Sequence, residues 1–214
     1  MFNGDINVIE ELLNALHQGG IKDDQIAIIS PFNTHLPHLN HIFQKIYNID
    51  KASAQDTSGR IWKINDRVMM TQNNYDINIM NKEEGKIVDL NYNEIKVKFK
   101  NGTVFSFKLQ GIKYDDPNQP QDKILTTDML KLSYAITVDC SQGAEYDYVI
   151  YYIPPDSKDS SFLNKNRTYT AITRAKIAIW CVGNLNVLTT SGTKRVAYRC
   201  DNLATRLKNF KPTN

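Results

Sequence analysis

The chain has 214 residues, of which 41% are hydrophobic and 10% aromatic, enough for one large core or one core with a small satellite. Its 26 Lys and Arg against 23 Asp and Glu leave a formal charge of +3, which permits a nucleic-acid partner without arguing for one. Cys140, Cys181 and Cys200 are far apart with no CxxC pair, which reads as buried thiols rather than a disulfide or zinc framework, and no apolar run reaches the ~18 residues of a membrane span.

Residues 1–10 (MFNGDINVIE) lack the basic and apolar regions of a signal peptide, so an intracellular setting is expected and secretion is not. Ile6, Val8, Ile9, Leu12, Leu13 and Leu16 then recur at helical spacing, with Asn7 and Glu10 as a capping-box pair and Gly19-Gly20 as the stop. Ile26–Ser30 is an apolar run of the kind a parallel sheet buries on both faces. Leu36, Leu39, Ile42, Phe43 and Ile46 predict a helix over 34–47. This opening is α/β.

Between Ser58 and Asp122 the rhythm changes. Arg67–Thr71, Lys86–Tyr92, Glu94–Lys100 and Thr103–Leu109 read as short strands, and Asn101-Gly102 between the last two is a hairpin signal. A small β-barrel inserted into the α/β domain is expected here, left through the polar connector Asp115–Asp122. Leu125–Ala135 then reads as helix or turn. Tyr148–Ile153 and Ile177–Val182 read as buried strands, Asn166–Ala175 as a helix, and Asp201–Phe210 as a last helix.

Two segments carry chemistry. Asn166–Lys176 is read as a helix ending in Arg174 beside a sheet edge, where a guanidinium fork suits phosphate; a surface arginine favoured by the helix dipole is the bland alternative. Thr137, Ser141, Gln142, Gly143 and Glu145 form a polar stretch just before an apolar strand, a common place for ligands in α/β proteins. Lys96, Lys98 and Lys100 share one side of a strand, as either a solvated face or a nucleic-acid contact. Lys194, Arg195, Arg199, Arg206, Lys208 and Lys211 form a second basic cluster, read as a solvated helix. His35, His38 and His41 recur without Cys or carboxylate at ligand spacing, so helix-surface histidines are expected and no metal is assigned to them.

Together, YAITVDCSQGAEYDYVI and NRTYTAITRAK resemble motifs V and VI of superfamily 1 helicases, specifically the UvrD/RecD-like C-terminal region. IAIISPFNTHLPHLNHIFQ resembles the start of that family's second RecA-like domain. NDRVMMTQNNYD with NKEEGKIVDL resembles the opening of an SH3-like insertion. The likeness runs from about Val8 to Leu207. It implies a RecA-like parallel sheet with helices on both faces, formed by 1–57 and 123–214 and interrupted by a small SH3-like β-barrel over 58–122.

The resemblance also implies roles. Arg174 would be an arginine finger on the γ-phosphate of ATP, a kind of residue worth ~10³–10⁵ in rate elsewhere. Gln142, Gly143 and Glu145 would belong to the nucleotide-coupling loop. Thr137, Ser141, Thr71, Asn73 and Tyr75 would contact nucleic acid. The family's usual His-Lys before Ser-Gln-Gly is here Asp139-Cys140, and an acidic group there would repel a nucleic-acid backbone.

No G-x-x-x-x-G-K-[ST] occurs, and no apolar strand ends in Asp-Glu. The phosphate cradle and Mg²⁺ carboxylate needed for hydrolysis are thus expected from a first RecA-like domain, in cis or in trans. The expected function is the C-terminal motor half of an ATP-dependent RecD-like helicase. It would act on single-stranded nucleic acid, DNA before RNA, in the cytoplasm, nucleus or a viral replication site, with no ATPase activity of its own. The rival expectation is a catalytically silent single-strand-binding module. An unrelated small α/β enzyme would need a catalytic constellation that the sequence does not offer.

Overall fold

A computed structural model describes residues 3–110, 125–155, 157 and 163–193. The Asp115–Asp122 connector, the Asp201–Phe210 helix and the cluster from Lys194 to Lys211 lie outside the described residues.

Helix α1 (Asn3–Gln18) starts four residues before the expected cap, so Asn7 is interior to it. The Ile21 N–H closes back on the Leu16 carbonyl at 3.0 Å and ends the helix. Strand β1 (Ile26–Ser30) and helix α2 (Leu36–Tyr47) follow, with Pro37 in the first turn of α2, where its missing N–H costs nothing. Next come β2 (Ser53–Gln55), β3 (Ile61–Lys63), β4 (Arg67–Met70), β5 (Glu84–Leu90), β6 (Glu94–Phe99) and β7 (Val104–Lys108).

Leu125–Ala135 is corrected by the structure. It forms a 3-10 turn at Thr127–Met129, then β8 (Leu130–Leu132), with β9 (Ala135–Thr137) starting at its end. Its apolar spacing fits a helix, but pairing of β8 with β4 decides the conformation. The chain continues through β10 (Tyr146–Ile153), α3 (Lys165–Ile172), β11 (Ala175–Gly183) and α4 (Leu185–Thr193).

Four strands form a parallel sheet in the order β11-β10-β1-β9. Successive residues of β1 face opposite sides, so both sides must be covered. Ile26 and Ile28, with Ile150 and Tyr152 of β10, pack against Ile9 and Leu13 of α1 and Leu39 and Phe43 of α2. Ala27 and Ile29, with Val149 and Tyr151, pack against Ala171 of α3 and Val187 and Leu188 of α4. The expected α/β layering, with helices on both faces, is what forms. Ile177–Val182 is not fully buried, however, because β11 lies at the edge of this sheet and leaves Ile177 65% exposed. Gly183 ends β11 at φ +105, where any Cβ would lie 1.9 Å from the Ile153 carbonyl oxygen.

A five-stranded antiparallel sheet, ordered β7-β6-β5-β4-β8, has its own core of Val68, Met70, Ile87, Ile95, Val97 and Phe107. Trp62 ties the β2–β3 ribbon to that core. The two sheets are locked together by polar contacts. Arg67 donates to the carbonyls of Asp23 (2.7 Å), Ile26 (2.9 Å) and Ser133 (2.9 Å). Its guanidinium also lies 5.2 Å from the Tyr134 ring centre and 5.7 Å from that of Tyr146. Beside it, buried Asp66 accepts from Gln44 of α2 and from Asn48 just after it, from the Lys63 N–H and from the Tyr134 hydroxyl.

Candidate nucleotide and nucleic-acid interface

Helix α3 is shorter than its sequence suggests. Asn164 caps it by accepting from the N–H groups of Asn166 and Arg167, and Thr173 closes its C-terminal end. Arg174 therefore sits in the turn before β11 rather than on the helix. That turn is bonded directly to the polar loop, because the Tyr146 N–H donates to the Arg174 carbonyl at 2.9 Å. The Arg174 side chain reaches back across the same seam. Nε donates to the Thr170 carbonyl (3.0 Å), Nη1 to the Ala144 carbonyl (3.0 Å) and Nη2 to the Thr173 hydroxyl on the exposed side (3.2 Å).

The loop itself opens with a 3-10 turn at Val138–Cys140. Ser141 is fully buried, and its hydroxyl donates to the Val138 carbonyl at 2.7 Å. It fastens the turn and presents no surface. Gln142 and Gly143 are exposed, with Gly143 at φ +81, and exposed Glu145 pairs with Lys176 at 3.2 Å. Half-buried Thr137 ends β9 level with Ser30 of β1.

Sequence reasoning missed one link in this region. Asp139 forms an ion pair with Arg167 of α3 at 3.0 Å, so the acidic residue expected to repel a backbone is already partnered by the other motif. Opposite charges on two segments expected to lie side by side were the available signal. Lys82 adds a third element by donating to the Asp139 carbonyl at 3.3 Å.

Thr71, Asn73 and Tyr75 lie on the exposed loop between β4 and β5. The Asn73 amide donates to the Tyr75 hydroxyl (3.1 Å) and accepts from the Asn81 N–H (2.8 Å), and Tyr75 remains 75% exposed. Lys82, at the far end of this loop, brings it to the 3-10 turn. Burial, and then Glu84, raise the Tyr146 hydroxyl to about 12, so it stays a neutral donor to Glu84.

The basic face of β6 is largely neutralised, since Lys96 pairs with Asp89 and Lys100 with Glu84. His35 packs edge-on against Tyr152, while His38 and His41 are exposed on α2. Among the described residues, no three His, Cys, Asp or Glu side chains gather as a metal site, and no helix is long and apolar enough to cross a membrane.

Residues 132–182, which span β9, the polar loop, Arg174 and most of β11, match the UvrD-like helicase C-terminal domain family. This stretch is similar to the C-terminal region of superfamily 1 helicases. The chain is 26% identical over 149 residues to the ATP-dependent RecD2 DNA helicase of Deinococcus radiodurans, which covers 70% of this chain and 18% of that protein. A stretch of 46 residues, 22% of this chain, is 56% identical to 1% of replicase polyprotein 1ab of Bat coronavirus 512/2005. The chain thus spans less than a fifth of these relatives. Among solved structures, Bacteroides Pif1 bound to ssDNA is 19% identical with a TM-score of 0.49, covering 73% of this chain and 40% of that one. Within the matched stretch the two segments are joined by contacts of Arg174 with Ala144, Tyr146 with Arg174, Lys176 with Glu145, and Arg167 with Asp139.

Proposed function

We propose that this chain is the C-terminal motor half of an ATP-dependent, RecD-like DNA helicase, with Arg174 as its arginine finger. The observation that carries this reading is the seam between the Arg174 turn and the 138–145 loop. Through the contacts at Ala144 and Tyr146, a change at the guanidinium is felt in the polar loop without an intermediary. The printed name of the Deinococcus radiodurans relative, an ATP-dependent DNA helicase, supports the same reading.

The residues present fit one side of a nucleotide site. A guanidinium with an exposed Nη2 corner suits a phosphoryl group, and the phosphate cradle comes from a first RecA-like domain. When bound there, ATP with Mg²⁺ supplies the phosphoryl group whose transfer powers movement. Arg174 stabilises the charge that grows on that group. Gln142, Gly143 and Glu145 carry the change toward Thr137 and the Thr71–Tyr75 loop, which grip single-stranded nucleic acid. Residues 1–57 and 123–214 serve as the second RecA-like domain, with 58–122 as its SH3-like insertion. Alone, the chain hydrolyses no ATP.

A second reading, a catalytically silent single-strand-binding module, draws on the three bonds that already hold Arg174 within the chain. One experiment separates the two. The chain is joined behind a superfamily 1 first motor domain, and phosphate release is measured with and without single strands. Stimulated hydrolysis is expected, with Arg174→Ala lowering it ~10³-fold or more. Hydrolysis that survives Arg174→Ala sinks the finger. Salt-sensitive strand binding without any hydrolysis favours the silent module.

A further inference from the structure

A cleft between α2, the β2–β3 ribbon and β8 opens away from Arg174 and the 138–145 loop, touching the motif V-like segment only at Ala135. Its volume is about 460 Å³, within the ~300–1,000 Å³ usual for small-ligand sites. The floor is apolar: Leu36, Trp62 and Leu132. The exposed lip carries Asn33, His41 and Ile61, with half-buried Lys131 beside them.

Four features specify an occupant. No acidic residue is among those lining the cleft, although Asp and Glu nearly equal Lys and Arg in the chain. Arg60, on one wall, is immobilised. It donates to Asp56 (2.8 Å), Asp128 (2.6 Å) and the Leu130 carbonyl (3.3 Å), and lies 5.4 Å from the Trp62 ring centre. Half-buried Lys131 has no carboxylate partner among the described residues, so its ammonium is left for an anion. Asn33 also follows Ser30, which is in register with Thr137, so the lip continues the edge where strand contact is proposed.

We propose that this cleft holds one nucleotide of a bound single strand, with the base on the Leu36–Trp62–Leu132 floor and the phosphate at Lys131. The Asn33 amide offers both a donor and an acceptor to a base edge. A positively charged groove is how strand-binding proteins track the backbone at any sequence, and here apolar burial of the base replaces aromatic stacking, since Trp62 is 1% exposed. This proposal rests on the chain binding single strands, as argued above, but concerns a site apart from Arg174, the 138–145 loop and the Thr71–Tyr75 loop.

The test uses the full chain and a 15-nucleotide oligothymidylate carrying a photoreactive thymine at successive positions. Cross-links are expected at residues 33–41 or 131–135 for one position. Lys131→Glu should weaken binding several-fold and lower the salt slope by ~1. Asn33→Trp, which fills the cleft from its exposed lip, should weaken binding and remove that cross-link. Lys22→Glu, at the exposed turn after α1, serves as the charge control. Cross-links confined to the 71–75 and 137–145 loops, with binding unchanged by Lys131→Glu and Asn33→Trp, overturn the cleft and leave strand binding intact. Failure of the unmodified chain to bind the oligonucleotide overturns both.

Discussion

Two residues show how the polar loop and its neighbour are shaped by backbone conformation. Gly143 lies at φ +81 with nothing within 4 Å of where a Cβ would stand, so Gly143→Ala tests the backbone alone. The left-handed conformation disfavours a side chain by ~1–2 kcal/mol, and a loss of about 1 kcal/mol in urea denaturation is expected. Lys82 presents the opposite case, a non-glycine residue at φ +72. Such positions persist where their surroundings over-determine them, often next to functional segments. Here the side chain contacts the Asp139 carbonyl and the backbone N–H donates to Met70 at 2.9 Å. Lys82→Gly should leave stability unchanged or raise it by up to ~1 kcal/mol, while the 138–140 turn exchanges its amide protons faster. Slower or unchanged exchange would mean that Lys82 does not steady the turn. The sequence marked Gly143 as the centre of a chemical loop, but a strained lysine leaves no compositional trace.

At the scale of elements, long periodic segments were legible and three-residue strands were not. The apolar runs of β1 and β10 announced a sheet buried on both faces, and both occupy its interior. The β2–β3 ribbon and β8 lacked such a signal because their conformation comes from partners distant in sequence: Leu132 pairs with Val68, and Trp62 packs into the antiparallel core. The candidate site divides in the same way. The resemblance to helicase motifs implied that Arg174 and the Gln142–Glu145 loop belong together, whereas the Asp139–Arg167 pair needed the fold. That pair is partly exposed, with side chains 41% and 25% accessible, so Asp139→Asn should cost less than ~1 kcal/mol of global stability. Its effect should be local instead: hydrogen exchange at 138–145 should rise, and Arg167→Gln should reproduce it without adding to it in the double variant. Additive effects would show that the two residues act separately.

Across the whole molecule, the junction between the sheets depends on buried charge. Burial raises the Asp66 carboxyl, although the Lys63 N–H, Asn48, Gln44 and Tyr134 all donate to it. Asp56 is the reverse: burial pushes it up, but bonds from Ser58, Trp62 and Arg60 outweigh that and bring it to about 2. Stability from Asp56 is present above the ordinary carboxylate pKa of ~3.9 and is lost as pH falls toward 2. With its folded pKa raised, Asp66 contributes most below that ordinary value, and stability declines as pH rises through the raised one. Asn at position 66 removes this decline but disturbs the bonding. Each carboxylate oxygen now accepts two donors: Oδ2 from Gln44 (2.6 Å) and the Lys63 N–H (2.7 Å), Oδ1 from Asn48 (2.8 Å) and Tyr134 (3.0 Å). Replacing one oxygen with NH₂ sets a donor against two donors inside the fold, whichever way the amide turns. Asp66→Asn should therefore destabilise by ~2–4 kcal/mol at neutral pH, read as a lower urea midpoint, and flatten the pH dependence above ~4. A loss below ~1 kcal/mol would mean that the native carboxyl is protonated, with one of the four donors turned away. In that case the junction rests mainly on Arg67 and its three carbonyls, and Arg67→Ala rather than Asp66→Asn becomes the change that separates the sheets.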